Sequence, residues 1–344
     1  MKIKLLNVSV LTVALLGLSL SAYAQGDDRA GTAAMEELLV PITARTVALG
    51  ASLTAGLSNL SGVEAVQSNP AALMTNGSTS ALFSRTEYVA DIGINYVGIA
   101  QRFGNNNIAL TLTAWDYGDI ARTTVASPEA DPTLTYSATA TVVGVSFARQ
   151  FTDRISAGVT GKALSRSIDE ATSSGLAFDA GMTYVVGESG LRFGVSLKNF
   201  GSAVDFTGVG LDTGIGTTGP GGTGTIAGEI DDVSAELPSL LSFGLAYTRQ
   251  FSGDISLTAL GAFRSNAYDL DNYSGGVELG YSDLFFVRGG VDITADSDRN
   301  AWDVWNVGAG LLVPVGGSSI AVDYAYRPSS VFTGVNMFTV GVTL

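Results

Sequence analysis

Residues 334–344 read GVNMFTVGVTL, and this stretch decides the fold. Its apolar side chains alternate with small or polar ones, namely Phe338, Val340, Val342 and Leu344 against Thr339, Gly341 and Thr343. A period of two is typical of a β-strand with one apolar and one polar face. A strand as apolar as this one needs a partner on both edges, because an unpaired edge promotes aggregation. In a closed antiparallel barrel it pairs with the first strand, and its apolar face then meets lipid.

The first residues have the layout of a secretory signal. Lys2 and Lys4 precede an apolar run over residues 8–20, and Ala22-Tyr23-Ala24 supplies small residues for cleavage. The run is too short for a membrane-spanning helix. We therefore predict a cleaved signal peptide over residues 1–24 and a mature chain that starts near Gln25.

Composition excludes several classes of function. The 344 residues include no Cys and no His, and the formal charge of −14 becomes −16 once Lys2 and Lys4 leave with the signal. The protein therefore does not depend on disulfides, and it has neither a Ser-His-Asp triad nor a His-ligated zinc site. Its acidic balance argues against nucleic-acid binding. Mean hydropathy is +0.31, yet no apolar run after residue 24 is long enough to span a membrane as a helix, which favours a β-barrel.

Residues 25–78 do not alternate and are predicted to form a hatch or plug rather than an independent domain. Short helical turns are expected at residues 32–39 and 62–67, and Pro70 is suited to the first turn of another.

From residue 79 to residue 344 the pattern changes to short alternating runs, which predict a transmembrane antiparallel barrel. About fourteen strands are expected, with lengths that suit a tilted crossing of the bilayer. They are 79–86, 91–103, 107–117, 135–150, 154–166, 174–186, 190–200, 238–251, 254–265, 271–282, 284–293, 303–313, 318–328 and 334–344. In strand 135–150 the alternation slips near Val142-Val143, where a bulge is expected.

The connections support this interpretation, since short turns alternate with longer loops such as 118–134 and 201–237. Outer-membrane barrels have tight periplasmic turns and longer external loops. A soluble β-sandwich also has many short strands, but nothing in that fold sorts its loops by length so regularly.

Charged residues of both signs fall on the polar face of the predicted strands. On a lipid face each would cost roughly 2–4 kcal/mol near the midplane of the bilayer, so we place them in the lumen. They either line a substrate path or form a salt-bridged filling, and a narrow or plugged lumen favours the second. They are Lys162, Asp179, Arg192, Lys198, Glu278, Arg288, Asp292, Asp323 and Arg327.

Aromatic residues cluster near strand ends and predict two interfacial girdles. Phe103, Phe151, Phe251 and Tyr281 lie beside short turns, while Trp115, Tyr117, Phe200, Phe263, Tyr273, Trp305 and Tyr326 lie beside long loops.

The sequence contains only weak matches to motifs for metal binding, phosphate binding or catalysis. The acidic stretch inside loop 294–302 begins like a calcium loop but lacks the central Gly and the bidentate Glu, so a solvated loop is favoured over a metal site. Loop 201–237 is rich in Gly and Thr without the Lys of a phosphate-binding loop, and we expect a flexible external loop. No carboxylate pair stands out as acid and base. We predict no enzyme, no catalytic residues, no metal site and no cofactor.

Residues 38–73, LLVPITARTVALGASLTAGLSNLSGVEAVQSNPAAL, resemble the N-terminal signature of the PorV/PorQ family, a branch of the FadL-like outer-membrane barrels. The residues that carry the resemblance are Arg45, Gly50, Asn69, Pro70 and Ala71. In that family the Asn-Pro-Ala element precedes the first strand and tucks into a fourteen-stranded barrel as a hatch.

The resemblance implies an integral protein of the bacterial outer membrane that acts in type IX secretion and surface attachment, with secreted cargo proteins or secretion components as partners. FadL-like relatives imply the alternative, a transporter of hydrophobic small molecules. A general diffusion porin is less favoured, because a hatch leaves little open bore.

Overall fold

The computed structural model describes residues 29–57, 62–74, 78–123, 128–129, 131–208, 211–219, 222–229, 234–294 and 302–344. The predicted signal peptide, residues 1–24, lies outside these ranges. So does most of the acidic loop considered as a calcium site, residues 295–301.

Strands dominate the described residues. In chain order they are β1 (Thr79–Glu87), β2 (Gly93–Phe103), β3 (Asn106–Arg122), β4 (Asp131–Gln150), β5 (Ile155–Ile168), β6 (Ala171–Val185), β7 (Leu191–Gly201), β8 (Val204–Thr207), β9 (Asp212–Gly219), β10 (Gly222–Glu229), β11 (Ser234–Ala235), β12 (Leu240–Ser252), β13 (Ile255–Asn266), β14 (Asn272–Tyr281), β15 (Phe285–Thr294), β16 (Trp305–Val315), β17 (Ser318–Arg327) and β18 (Val335–Thr343).

Fourteen of these strands, β1–β7 and β12–β18, form a closed antiparallel barrel. Each pairs with its neighbours in sequence order, and β7 pairs with β12 across the long insertion. The barrel closes where β18 pairs with β1, in a register that places Val340 opposite Phe83. The other edge of β18 pairs with β17. The prediction made from residues 334–344 is therefore confirmed, and no edge is left open to the membrane.

The two faces of the wall differ as the alternation predicts. Phe338 and Val340 of β18 are 53% and 42% exposed, whereas Thr339 between them is 1% exposed. Leu110 and Leu112 of β3 are likewise exposed while Ala109 is buried. Exposed apolar side chains thus cover the outside, where lipid replaces water as the solvent.

Tight turns connect the strands at the end of the barrel that holds the start of β1 and the end of β18. We call the opposite end external, because outer-membrane barrels keep their tight turns in the periplasm. Two external loops are shorter than predicted. β3 and β4 extend into the expected loop 118–134, and β5 and β6 continue pairing until two residues separate them.

Loop 201–237 also differs from its prediction as a flexible loop. β9 and β10 form an antiparallel hairpin, β11 pairs with β8, and β8 pairs with the external end of β6. The Gly content hid this structure in the sequence, but β9 contains Thr213, Thr217 and Thr218, and β10 contains Thr223 and Thr225. The branched side chain of Thr favours a strand.

The bulge expected near Val142-Val143 is wrong. β4 pairs with β5 without interruption there, and Val142 faces the lumen while Val143 is exposed. The register shift lies instead in β3, between Asp116 and Asp119. The alternation of inward and outward side chains continues through Val142 and Val143. It is hard to see in the sequence because both of these neighbouring residues are apolar.

Trp115 is a second correction. It was expected in an interfacial girdle, but it is 4% exposed and faces the lumen beside Tyr117. The period of two explains the difference, because residue 115 has the parity of the inward Ala109 rather than of the outward Leu110. Other aromatic residues do project outward at the strand ends: Phe103, Phe151, Phe200, Phe251, Tyr281 and Trp305.

Short helices occupy the chain before the first strand. They are α1 (Ala44–Ala48), α2 (Gly62–Ala65) and three 3-10 turns, Glu36–Leu39, Leu53–Ala55 and Pro70–Leu73; a further 3-10 turn, Val89–Asp91, joins β1 to β2. Expectation and structure agree near residues 36, 62 and 70, while α1 was not predicted. None of the helices among the described residues is long and apolar enough to cross a bilayer.

Candidate functional site

The described residues 29–57 and 62–74, called here the N-terminal segment, lie inside the barrel. α1 contacts β15–β18, the turn Leu53–Ala55 contacts β7, β12 and β13, and the turn Pro70–Leu73 contacts β3–β6. The segment is almost entirely buried from residue 42 onward. The lumen is therefore occupied around much of its circumference.

Inward-facing glycines allow this close approach. A Cβ atom added at Gly290 of β15 would lie 2.3 Å from the backbone nitrogen of Gly50, and one added at Gly158 of β5 would lie 2.6 Å from the carbonyl carbon of Pro70. Real Cβ atoms do not approach other atoms so closely. Glycine on the wall lets the backbone of the N-terminal segment rest directly on the strands.

Gly50 itself has a second reason to be glycine. Its φ is +64°, and a side chain there would meet the carbonyl oxygen of Val291 at 2.3 Å. Both the left-handed conformation and the contact with β15 exclude larger residues.

Asn69, Pro70 and Ala71 anchor the other side of the segment. The side-chain oxygen of the fully buried Asn69 accepts a hydrogen bond of 3.0 Å from the backbone N–H of Ala71, which caps the turn that Pro70 begins. The amide nitrogen donates to the carbonyl of Thr54 at 2.8 Å and lies 3.2 Å from that of Met182 on β6. One side chain thus ties two parts of the segment to the wall.

Arg45 anchors α1 through buried charge. Its guanidinium lies 3.1 Å from a carboxylate oxygen of Asp323 and 3.8 Å from one of Glu64. Asp323 also accepts a hydrogen bond of 2.5 Å from Arg288, which donates a second of 2.5 Å to Glu278. All five side chains are at most 5% exposed. We call them the buried charge cluster.

The buried charge cluster contains three carboxyl groups and two guanidinium groups. Burial raises the pKa of Glu64, and the positive charge of Arg45 opposes part of that rise. Within the described residues, one carboxyl oxygen of Glu64 has no hydrogen-bond partner. A proton on Glu64 would balance the charge of the cluster.

We expect Arg288→Met to destabilise the barrel by about 3–5 kcal/mol, because Glu278 and Asp323 would both lose their buried contact with Arg288 and three carboxyl groups would share the one guanidinium of Arg45. The measurement is urea-induced unfolding in detergent, followed by tryptophan fluorescence. Arg249→Met is the control, since Arg249 is exposed beside the ring of Phe251. Equal stability of the two variants would contradict the role given to Arg288.

The other predicted lumen residues lie apart from the buried charge cluster. Lys162 pairs with Asp179 at 2.6 Å, and Asp292 pairs with Arg264 at 2.6 Å and lies 3.9 Å from Arg327. Arg192 and Lys198 both sit on β7 with inward parity, and within the described residues neither has a hydrogen bond or ion pair. The sequence grouped nine residues by face, and the structure divides them into separate clusters.

Sequence reasoning missed Glu37. This buried carboxylate accepts hydrogen bonds from the guanidinium of Arg166 on β5 and, at 2.5 Å, from the hydroxyl of Tyr117 on β3. It holds the turn Glu36–Leu39 against two strands near the external end of the lumen. The neighbouring Glu36 is exposed. Nothing in the local sequence distinguishes the two glutamates, because their partners lie far along the chain.

An outer pocket of about 500 Å³ lies beside this turn, toward the external end. Tyr88 packs edge-on against Trp115 with ring centroids 5.8 Å apart, and against Trp302 at 5.5 Å. Leu39 and Ile92 complete an apolar wall. Aromatic and aliphatic surface of this kind suits the hydrophobic part of a ligand. The charged residues Glu36, Glu37, Asp269 and Arg166 line the rest of the pocket.

An inner cavity of about 90 Å³ lies on the far side of the same turn. Glu37, Leu39, Val40 and Trp115 line both spaces. The turn Glu36–Leu39 and the ring of Trp115 thus form a partition between an outer and an inner compartment. The arrangement can hold small molecules in two places, and passage between them requires the partition to move.

Comparisons with known proteins were made for both sequence and structure. No family model matches the sequence, and no curated protein matches it either. Similar solved structures include the monoaromatic hydrocarbon channel CymD, with 13% identity, coverage of 88% of this chain and 97% of that one, and a TM-score of 0.55. The toluene transporter TodX from Pseudomonas putida has 12% identity, coverage of 86% and 96%, and a TM-score of 0.52. A FadL homologue from Pseudomonas aeruginosa has 13% identity, coverage of 88% and 98%, and a TM-score of 0.52.

These likenesses show that the chain shares the barrel fold of CymD, TodX and the FadL homologue, of which the first two are described as a hydrocarbon channel and a toluene transporter. They also correct one expectation. A main role in type IX secretion and surface attachment is wrong, because the similar structures handle hydrophobic compounds, and secreted cargo finds no support as a partner. Membership of the PorV/PorQ branch stays a prediction from residues 38–73.

Proposed function

We propose that this chain carries hydrophobic small molecules across the outer membrane, with the N-terminal segment as a hatch. The observation that carries the proposal is the division of the lumen into an aromatic outer pocket and an inner cavity by one short turn. The fold likeness to TodX and CymD supports it. The proposal includes removal of residues 1–24 during export.

The outer pocket is the entry site in this proposal. It opens toward the external end, and Tyr88, Trp115 and Trp302 offer ring faces and edges to a ligand. Transfer of apolar surface from water to such a site contributes about 25 cal/mol per Å². A monoaromatic hydrocarbon matches the chemistry of the aromatic wall, and a pocket of about 500 Å³ has ample room for it.

The turn Glu36–Leu39 is the gate. If this turn moved out of the partition, the two compartments would join. The contacts of Glu37 with Arg166 and Tyr117 oppose that movement. The rest of the segment is held more firmly, by Arg45 on Asp323 and by Asn69 on the wall. A ligand can therefore shift residues 36–40 without displacing α1.

We expect Glu37→Gln to increase the initial rate of toluene uptake several-fold. The neutral amide keeps the shape of the side chain but loses the ion pair with Arg166, and a partly buried charge-assisted bond contributes about 1.5–3 kcal/mol. Uptake of radiolabelled toluene by cells is the measurement. Glu36→Gln is the matched control, because it removes the same charge from the exposed neighbour. Equal rates in the two variants would show that Glu37 does not hold the gate.

The proposed function itself is tested by comparing toluene uptake in cells that produce the chain with uptake in cells that carry an empty vector. We expect faster uptake with the chain present. In a separate measurement, the purified protein should show no large, steady ion conductance in planar bilayers, because the N-terminal segment fills the lumen. Uptake no faster than that of the vector cells would reject the proposal, and a large steady conductance would favour a general diffusion porin.

A further inference from the structure

The inner cavity differs from the outer pocket in charge. Its apolar lining includes Tyr96, Trp115 and Val142 from β2–β4 and Leu39 and Ile42 from the N-terminal segment. The other arc of the wall contributes cationic side chains, Lys162 from β5, Lys198 from β7 and Arg264 from β13. The cavity is therefore amphipathic, with apolar surface on one arc and positive charge on the next.

Most of the charges around the cavity are already balanced. Lys162 has Asp179 at 2.6 Å, and Arg264 has Asp292 at 2.6 Å. Glu37, which also lines the cavity, is bound to Arg166. Lys198 makes no hydrogen bond or ion pair within the part of the chain that the structure describes. Lys198 is half-buried, and the carboxylate that acts on it electrostatically, Asp179, is already paired with Lys162, so the cavity favours a further anion beside Lys198.

The position of Lys198 is set by an irregularity in β7. The register between β6 and β7 shifts between Phe178 and Ala180, and Asn199 has a φ of +57°. The backbone N–H of Asn199 donates to Asp179 at 2.8 Å, and its side chain accepts from Lys162 at 2.8 Å. At this bulge the carboxylate of Asp179 thus binds Lys162 and the backbone of Asn199. The ammonium group of the neighbouring Lys198 faces the cavity.

Size limits the ligand. The volume of about 90 Å³ is the space open to the centre of a water-sized sphere, and one water molecule needs about 10–15 Å³ of such space. The cavity therefore holds roughly six to nine heavy atoms. A carboxylate attached to a single ring has about this number. A long alkyl chain exceeds it.

We propose that the inner cavity binds a compact aromatic carboxylate, with the ring against Trp115 and Tyr96 and the carboxylate on Lys198. This inference rests on the proposed transport function and deepens it, because it assigns an anionic ligand class to the inner compartment. The outer pocket admits the ring of either a neutral or an anionic compound, and the inner cavity adds a contact with Lys198 for a ligand that carries a carboxylate. Carboxylate and ammonium form a charge-assisted hydrogen bond. The outer pocket offers no comparable contact, because its lining cation Arg166 is bound to Glu37 and its other charged lining residues, Glu36 and Asp269, are acidic.

The test uses the purified full-length protein in detergent, with benzoate as the probe and tryptophan fluorescence and calorimetry as readouts. We expect benzoate to bind, and Lys198→Gln to weaken binding about 10-fold to 100-fold. Lys198→Arg should restore most of the affinity, since it restores the charge. Benzyl alcohol, which has the ring without the charge, should bind wild type and Lys198→Gln alike.

The matched control is Arg192→Gln, which removes an inward cation from the same strand but outside the cavity lining. We expect its benzoate affinity to equal that of the wild type. Heat-modifiable mobility in gels verifies that every variant forms the barrel. Tighter binding of decanoate than of benzoate would overturn the size argument, and equal weakening by Lys198→Gln and Arg192→Gln would overturn the site.

The two proposals fail in distinguishable ways. Toluene uptake without benzoate binding would reject the anionic site and leave the transport function standing. Binding of neither compound, together with no uptake, would reject the transport function itself.

Discussion

Deletion of residues 335–344 is expected to abolish barrel assembly. β18 pairs with β1 on one edge and with β17 on the other, so its loss leaves two unpaired strand edges. Each unsatisfied backbone group in the hydrocarbon region costs several kcal/mol, and the loss accumulates along both edges. The measurement is heat-modifiable mobility of the protein in isolated outer membranes.

Phe338→Leu is the control for this deletion. It changes the same strand but keeps an apolar side chain on the outward face, and we expect normal assembly. A heat-modifiable band from the truncated chain, at wild-type amounts, would show that closure does not depend on β18.

Deletion of residues 29–74 is expected to convert the protein into an open channel. The N-terminal segment, which makes up the described part of this range, occupies the lumen and contacts strands around the wall, from β1 and β2 at α2 to β15–β18 at α1. Without them, Asp323, Arg288 and Glu278 would face a water-filled lumen, where their charges are solvated. We expect a large, steady conductance in planar bilayers, in contrast to the closed full-length chain.

A second deletion separates the loss of the hatch from a general effect of shortening the chain. Removal of residues 211–230 takes away the hairpin of β9 and β10, which lies outside the barrel sheet. This variant should stay closed. A closed channel after deletion of residues 29–74 would mean that the segment does not seal the lumen.

The barrel was predictable because lipid outside and polar surface inside impose a period of two on every strand. The pattern alone placed Phe338 and Val340 outside and Thr339 inside, and it located all fourteen strands to within a few residues at most ends. Trp115 was wrongly expected in a girdle because it lies near a loop, although its parity along β3 is that of the inward residues. The bulge at Val142-Val143 was wrongly expected because two neighbouring valines interrupt the apparent alternation, and the hairpin in loop 201–237 was missed because of the Gly content of that loop.

The candidate site was predictable only as a list of inward charges. Which charge meets which depends on strands that are distant in sequence, as with Arg45 and Asp323, which are 278 residues apart. Glu37 and Glu36 are neighbours with the same chemistry, yet one is buried against Arg166 and the other is exposed. Local sequence has no means of distinguishing them, because the difference lies in the strand that each side chain happens to face.

The sequence by itself determined a transmembrane barrel, its approximate strand limits, its apolar outer face and an N-terminal segment of a different kind. The tertiary structure decided how that segment divides the lumen, and among the described residues it left Lys198 with no hydrogen bond or ion pair beside the amphipathic inner cavity. The physical reason is the distance along the chain over which each feature is determined. Alternation is a local consequence of the solvent on each side of a strand, whereas a cavity and its unbalanced charge exist only where many distant residues converge.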